Sequence, residues 1–113
     1  MEREKPSVIE PDPQKMFKRL RQMHYMSMEL QAKLEDIDVE ADSGDELVKV
    51  KMSGAGKLLS VDLNPTIVGW DREVVEDLLL TALNNAVEAK EEIVRLETQK
   101  MMKERGLDDE TFE

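Results

Sequence analysis

Few side chains in this sequence have the type and spacing that catalysis or metal binding requires. His24 is the only histidine in 113 residues, and cysteine is absent. A general base acts beside a nucleophile or acid, and a metal ion needs several converging ligands, but His24 has neither kind of neighbour along its helical segment. A solvated or packing role is favoured for it. We expect no enzyme activity, no catalytic residue, no metal site, no cofactor and no small-molecule substrate.

Two short stretches are similar to ligand-binding loops, but a hairpin turn and a strand face explain them better. The Gly-Ala-Gly-Lys stretch at 54–57 is followed by Leu instead of Ser or Thr, and a strand pattern replaces the helix that a phosphate loop requires. Acids at 36, 38, 40 and 42 alternate with apolar residues and enclose no glycine, which indicates a solvated strand face and not a calcium loop. Trp70 has a ring that could stack on a base, but closing the apolar end of a helix is the favoured role.

The basic residues are more informative because they are grouped. The net charge of −10 argues against a protein that coats nucleic acid with its whole surface. Residues 13–34 nevertheless hold five bases and one acid, whereas residues 35–46 hold seven acids and no base. A second basic group ends at Arg105. Such groups are usually the solvated face of a helix. Whether these two groups form a binding site depends on how the helices that carry them are arranged.

The stretch 47–63 organises those elements, since it has the pattern of a β-hairpin. Apolar residues alternate with polar ones on both sides of a turn, at Val48, Val50 and Met52 before it and at Leu59, Val61 and Leu63 after it. Gly54 and Gly56 tolerate the positive φ that a tight connection needs. A lone hairpin is barely stable in water, so we expect the flanking segments to cover its apolar face.

The segment before the hairpin is predicted to be a long helix followed by a short strand. From Gln14, residues 16, 20, 23, 27, 30, 34 and 37 follow a heptad seam whose only polar member is Ser27. At about 1.5 Å per residue this helix would run roughly 30 Å. Alternation from Ile37 then predicts a strand, and the composition of residues 42–45 predicts a turn.

A second, longer helix is predicted after the hairpin. Pro65 ends the third strand, and Asp71 has the side chain of an N-cap. An apolar seam, widened by alanines that allow close packing, continues from Val75 to Leu96, and Gly106 is expected to end the helix. Its length would be roughly 50 Å, so part of it must pair with the first helix or with a partner chain.

These elements predict one α+β domain in the order α-β-β-β-α, a three-stranded antiparallel meander flanked by two long helices. The predicted domain covers residues 14–105, between a disordered tail at 1–13 and an acidic tail at 106–113. No apolar run reaches transmembrane length, and the first 13 residues are unlike a signal peptide. The absence of cysteine fits a reducing compartment. We therefore expect a cytoplasmic protein with no membrane partner.

The ordered combination of these segments resembles the YbaB/EbfC family of small bacterial nucleoid-associated proteins. The resemblance covers about residues 16–102: a Met- and Leu-rich first helix, then LVKVKMSGAGKLLSVDLNP, then EVVEDLLLTALNNAVEAKEE. It implies a tweezer-like homodimer that binds double-stranded DNA with little preference for sequence. Aromatic residues make up only 4% of the chain, and burial against a second copy would also compensate for so lean a core.

With this resemblance, we interpret the two basic groups as phosphate-binding sites at the tips of the helices. If the helices pack antiparallel, both groups are expected to converge at one tip distant from the sheet. The predicted DNA-binding residues are Lys15, Lys18, Arg19, Arg21, Lys100, Lys103 and Arg105. The predicted core and dimer-interface residues are Leu20, Met23, Leu30, Leu34, Val50, Val61, Leu79 and Leu83.

Two functions fit these features. The first is a homodimeric, nucleoid-associated DNA-binding protein that organises the nucleoid or regulates genes. The second is a protein-interaction or scaffold module whose acidic surface holds another protein, without physiological DNA binding. The net charge favours the second function, and the grouped bases and the resemblance favour the first.

Overall fold

The structure is a computed structural model that describes residues 12–106. It confirms the predicted order α-β-β-β-α. The elements are α1 (Pro13–Glu35), β1 (Asp38–Asp42), β2 (Val48–Ser53), β3 (Leu58–Leu63), a short 3-10 helix (Pro65–Ile67) and α2 (Arg72–Glu104). The three strands form one antiparallel sheet in the order β1-β2-β3. The two predicted tails lie, except at their inner ends, outside the described residues.

Both long helices have side-chain caps at the start. The Asp12 carboxylate accepts a hydrogen bond from the Gln14 amide at 3.0 Å, and Pro13 occupies the first turn of α1, where no amide hydrogen is needed. Asp71 caps α2, as predicted. The seam of α1 was expected to include Ile37, but α1 ends at Glu35. The Ile37 carbonyl instead accepts from the Gly54 amide at 2.8 Å, which ties the end of α1 to the hairpin turn.

Residue alternation places β2 at the centre of the core. Val48, Val50 and Met52 are buried on the face that packs against α2, together with Ile67 from the 3-10 helix. The pairing of β2 with β3 shifts between Lys51 and Met52, so that Met52 faces Leu58. The simple alternation predicted for β3 is therefore wrong at its start, because one extra residue bulges out of the ladder there.

The helix α2 covers only part of the sheet. Ala82 and Ala86 are fully buried and let α2 approach the strands closely. On one flank, the Asn85 side-chain amide donates to the Asp42 carbonyl of β1 at 2.9 Å. The packing of α2 is on β1 and β2, and all six residues of β3 are exposed. The sheet is therefore half-covered along its β3 edge.

The molecule is long and thin because both helices extend beyond the sheet. Its dimensions are 80 × 28 × 19 Å and its radius of gyration is 22.2 Å. A compact chain of this length would have a radius of gyration of about 13 Å. A single copy consequently leaves much apolar surface in contact with water. No helix within residues 12–106 is long and apolar enough to cross a bilayer.

Gly54 is expected to be a sensitive position, because the end of α1 packs directly on it. A Cβ at Gly54 would lie 2.9 Å from the Leu34 carbonyl oxygen and 3.2 Å from the Leu34 Cδ2. We expect Gly54→Ala to lower the free energy of unfolding by about 1–3 kcal/mol and to displace α1, as measured by chemical denaturation and by amide exchange in α1.

Gly44→Ala is the matched control for this prediction. Gly44 has a φ of +96°, but no atom lies within 4 Å of the added Cβ, so that change should strain the turn and leave α1 in place. Equal exchange in α1 for both variants would contradict the proposed packing of α1 on Gly54.

Candidate nucleic-acid interface

Two ion pairs fix how α1 and α2 lie side by side. The Lys33 Nζ lies 2.8 Å from the Glu97 Oε1, and the Arg105 guanidinium pairs with Glu29. The earlier residue of α1 pairs with the later residue of α2, so the two helices are antiparallel. Leu34 near the end of α1 and Met101 near the end of α2 are both buried. The end of α2 therefore lies beside Glu29, where Arg105 lines a shallow pocket with Tyr25, Met28 and Ala32.

The first part of α1, residues 13–28, projects beyond the end of α2 and is called the arm here. At about 1.5 Å per residue it extends roughly 24 Å past Glu29. It contains Lys15, Lys18, Arg19 and Arg21 and no acid, and the side chains of all four bases are exposed. The arm is a cationic rod in a chain whose net charge is −10.

The expected meeting of both basic groups at one tip is not what the structure contains. Arg105 lies level with Glu29, which is about 12 Å along the axis from Arg21. Lys100 and Lys103 lie still nearer the sheet. The physical reason is the offset between the helices: α2 ends beside Glu29, six residues before the end of α1 at Glu35. Sequence patterns give the helix lengths but not this offset.

Two of the three bases at the end of α2 interact with carboxylates. Arg105 is engaged by Glu29, and Glu104 adds a carboxylate next to it in the chain. The positive charge of Lys100 attracts the Glu97 carboxylate and contributes to lowering its pKa. Lys103 is exposed in the last turn. The arm is the stronger candidate for binding phosphates.

The Lys33–Glu97 ion pair links α1 to α2. Its contribution to the stability of the fold should decrease at acidic pH. The Lys33 ammonium against Glu97 is the main cause that lowers the pKa of Glu97 below its usual range, and the same ion pair raises the pKa of Lys33. A carboxyl whose pKa is lower in the folded state stabilises the fold above its unfolded pKa, and this contribution is lost as the pH falls through the folded value.

We therefore expect Glu97→Gln to lower the melting temperature at pH 7 and to have a smaller effect as the pH falls below about 4. Glu91→Gln, an exposed position on the same helix, serves as control. Melting curves between pH 2 and pH 7 measure both. An effect of Glu97→Gln that stays constant across this range would contradict a stabilising ion pair.

The outer face of the sheet, opposite α2, is polar and shallowly concave, with a cavity of about 480 Å³. Lys49 and Lys51 lie in its centre, and acids of the neighbouring strands surround them. The Lys51 Nζ lies 3.8 Å from Glu40, and the Lys49 Nζ lies 3.8 Å from Glu46. Because its lysines are matched or outnumbered by acids, this face is a poor site for phosphates.

The predicted core and interface residues separate into two groups. Val50 and Leu34 are buried, and Leu30, Leu79 and Leu83 are half-buried. Leu20, Met23 and Val61 are exposed in the single chain, at 58%, 48% and 42%. The first group thus belongs to the core of one chain. The second group is available to a partner.

An exposed apolar surface lies beside β3, and Val61 is its only member among the predicted interface residues. Val61 and Leu63 face Val50 and Val48 across the ladder, so they share the face on which α2 packs. Leu80 and Val87 are exposed on α2, roughly 140–160° around the helix from Asn85, which contacts β1. They therefore lie on the flank of α2 nearest β3. We call Val61, Leu63, Leu80 and Val87 the β3 patch.

A signal for half of the β3 patch was present in the sequence. Leu80, Val87 and Val94 follow at intervals of seven, which is a second apolar stripe on α2. It was hidden because the seam through Leu79 and Leu83 is stronger and adjacent.

The residues considered for other chemistry are isolated in the structure. The His24 ring lies 5.9 Å from the Tyr25 ring, and His24 is exposed. Within residues 12–106 no three His, Cys, Asp or Glu side chains are grouped to hold a metal ion. Gly54 to Lys57 form the hairpin turn, where the Ser53 amide donates to the Lys57 carbonyl at 2.8 Å. Trp70 lies two residues before α2 and is 43% exposed.

The fold and the arm define a class of protein: a small α+β body with two long helices, one of which presents a projecting basic segment. Comparison with known proteins places the chain within that class. A sequence profile of the YbaB/EbfC DNA-binding family matches residues 10–105. The chain belongs to the YbaB/EbfC family.

Individual relatives agree with this assignment. The chain is 34% identical over 92 residues to a nucleoid-associated protein of Alkaliphilus metalliredigens, which covers 80% of this chain and 81% of the relative. It is 32% identical over 99 residues to a nucleoid-associated protein of Francisella tularensis, with 86% and 88% covered. The crystal structure of the uncharacterized protein HP0035 from Helicobacter pylori matches with a TM-score of 0.71 and 25% identity, over 82% of this chain and 99% of that one.

Proposed function

We propose that this chain is a nucleoid-associated, DNA-binding homodimer that contacts phosphates through its arms and has little preference for sequence. The arm carries the proposal, since it is a projecting helix with four bases and no acid in a strongly acidic chain. Its relatives named as nucleoid-associated proteins support the same function. We place its action in the cytoplasm, at the nucleoid, in nucleoid organisation or gene regulation.

The residue types of the arm favour phosphate contacts over base reading. Lys and Arg without an accompanying group of Asn and Gln suit a charged backbone, which is the same for every sequence. The bases of the arm lie on the half of the helix that includes positions 15, 18 and 21, and all are exposed. The seven acids of residues 35–46 repel DNA near the sheet, which confines contact to the arms.

The uncovered apolar surface supports the homodimer. The β3 patch exposes four apolar side chains close together on the body of the chain, and an exposed apolar patch of this kind is typical of an interaction site. A second copy packed on the β3 patch would cover it by the same residues in both chains, as a two-fold interface requires. Each dimer would then carry two arms, in agreement with the tweezer shape that the family resemblance implies.

A mobility-shift titration across salt tests the proposed function directly. We expect the full chain to bind several unrelated duplexes with similar affinity, and log K to fall linearly as log salt rises, because binding releases counterions from DNA. Absence of binding at low salt would overturn the proposal. Tight binding to one duplex alone would overturn its sequence tolerance.

The alternative function is a protein-interaction module. The observation that favours it is the concave outer face of the sheet, where Glu40, Asp42, Glu46 and Asp62 outnumber Lys49 and Lys51. A protein with a basic surface fits such a face. This function should replace the first one if the titration shows no DNA binding. We assign no catalytic activity to the chain, and the family is described as DNA-binding.

A further inference from the structure

The arm has a second face that phosphate binding does not use. Phe17 and Leu20 are 65% and 58% exposed, and Met16 and Met23 are exposed to a similar degree. DNA backbones offer charge and hydrogen-bond acceptors, so they give these side chains nothing to pack on. A surface that accommodates the whole arm must provide both anionic groups and an apolar interior.

Between residues 15 and 23 the two kinds of residue occupy opposite sides of the arm. At about 100° per residue, the directions of Met16, Phe17, Leu20 and Met23 centre on one side of the helix, and those of the bases centre on the other. The arm extends beyond the end of α2, which stops beside Glu29, so α2 covers neither side. Within residues 12–106, the segment 15–23 of the arm is an amphipathic helix that no other element covers. Nearer α2, Tyr25 and Met28 are exposed beside Arg105.

We propose that the arm also binds anionic phospholipid surfaces, lying in the plane of the membrane with its apolar side toward the acyl chains. A helix that is too polar overall to span a bilayer, with Lys and Arg on one side and Phe and Leu on the other, has this preference. Charge complementarity selects the lipid: the arm has four bases and no acid, so lipid phosphates attract it. The acids of residues 35–46 lie at the other end of α1, away from such a surface.

This inference goes beyond the proposed function and revises one expectation. The absence of a spanning segment led us to expect no membrane partner, but an arm that lies on the membrane surface needs no spanning segment. The same bases would contact DNA or lipid phosphates, so the two ligands should compete for the arm. The apolar side is needed only for lipid, and this difference makes the two activities separable.

The test is flotation of the full chain with vesicles. We expect binding to vesicles of phosphatidylglycerol and phosphatidylcholine, and at least tenfold less binding to phosphatidylcholine alone. Met16→Ser with Phe17→Ser should weaken binding to the mixed vesicles by about tenfold or more, because each side chain loses apolar burial. DNA binding by this variant should be unchanged. Lys18→Ala with Arg21→Ala should weaken vesicle binding by about 30-fold, at roughly one kcal/mol per base, and should weaken DNA binding as well.

Val68→Ser with Val74→Ser is the matched control. Both residues are exposed, at 78% and 44%, and lie at the other end of the molecule, so this variant should float as the parent does. The proposal is overturned if the parent does not float with the mixed vesicles, or if the Met16 and Phe17 variant floats like the parent. It is also overturned if that variant loses association between copies and keeps its lipid binding, since the apolar side would then pack on a second copy. None of these outcomes depends on whether the parent binds DNA.

Discussion

Ala86→Asp is expected to unfold the protein, whereas Val87→Asp is expected to leave each chain folded and to separate the two copies. The two positions are adjacent in α2 but lie in different environments. Ala86 is fully buried between α2 and the sheet, and Val87 is 38% exposed in the β3 patch. A carboxylate at position 86 would have no partner and no water. Burying it costs several kcal/mol, which is comparable with the whole stability of a small domain.

Circular dichroism and light scattering measure the two effects separately. We expect Ala86→Asp to lose its helical signal at room temperature, and Val87→Asp to keep that signal while its mass falls to that of one chain. The charge change is the same in both variants, so net charge cannot explain a difference between them. Thr81→Asp, at an exposed position of α2 away from the β3 patch, should change neither property. If Val87→Asp keeps the mass of the parent, the β3 patch is not the interface between copies.

The two variants are expected to differ because α2 covers only half of the sheet. This partial coverage could not be predicted from the sequence. The cap at Asp71, the alternation around Val50 and the alanines of α2 are local signals, and they predicted the order of elements correctly. The uncovered edge is a property of how α2 lies on the sheet. It depends on interactions between distant residues, such as the Asn85 amide and the Asp42 carbonyl, which no periodicity contains.

The same distinction holds for the arm. Its helical seam and its bases could be recognised in the sequence, and the interpretation of Lys18 and Arg21 as phosphate-binding residues is still a prediction. The length of the unpaired segment could not be predicted, because it depends on the register between two helices. That register is set by the Lys33–Glu97 and Glu29–Arg105 pairs, and long helices with continuous seams allow several such offsets. The bulge at the start of β3 likewise depends on tertiary packing.

The largest effect on DNA binding is expected from replacing Lys15, Lys18 and Arg21 together with Ala. All three are exposed on the arm and lie beyond the reach of α2, so the chain should stay folded and dimeric. If each base neutralises one phosphate, the slope of log K against log salt should fall by about 0.9 for each base replaced. Affinity for unrelated duplexes should fall by similar factors, because phosphate contacts carry no sequence information.

A second triple variant separates local phosphate binding from total charge. Replacing Lys49, Lys51 and Lys57 with Ala makes the chain more acidic by the same three charges, but these residues lie on or next to the sheet, away from the arm. Long-range repulsion should weaken DNA binding in both variants, most strongly at low salt. Removal of phosphate-binding side chains should reduce the salt slope only in the arm variant. Equal slopes in the two variants, both below that of the parent, would mean that DNA senses the overall charge of the protein. The arm would then no longer be the binding site.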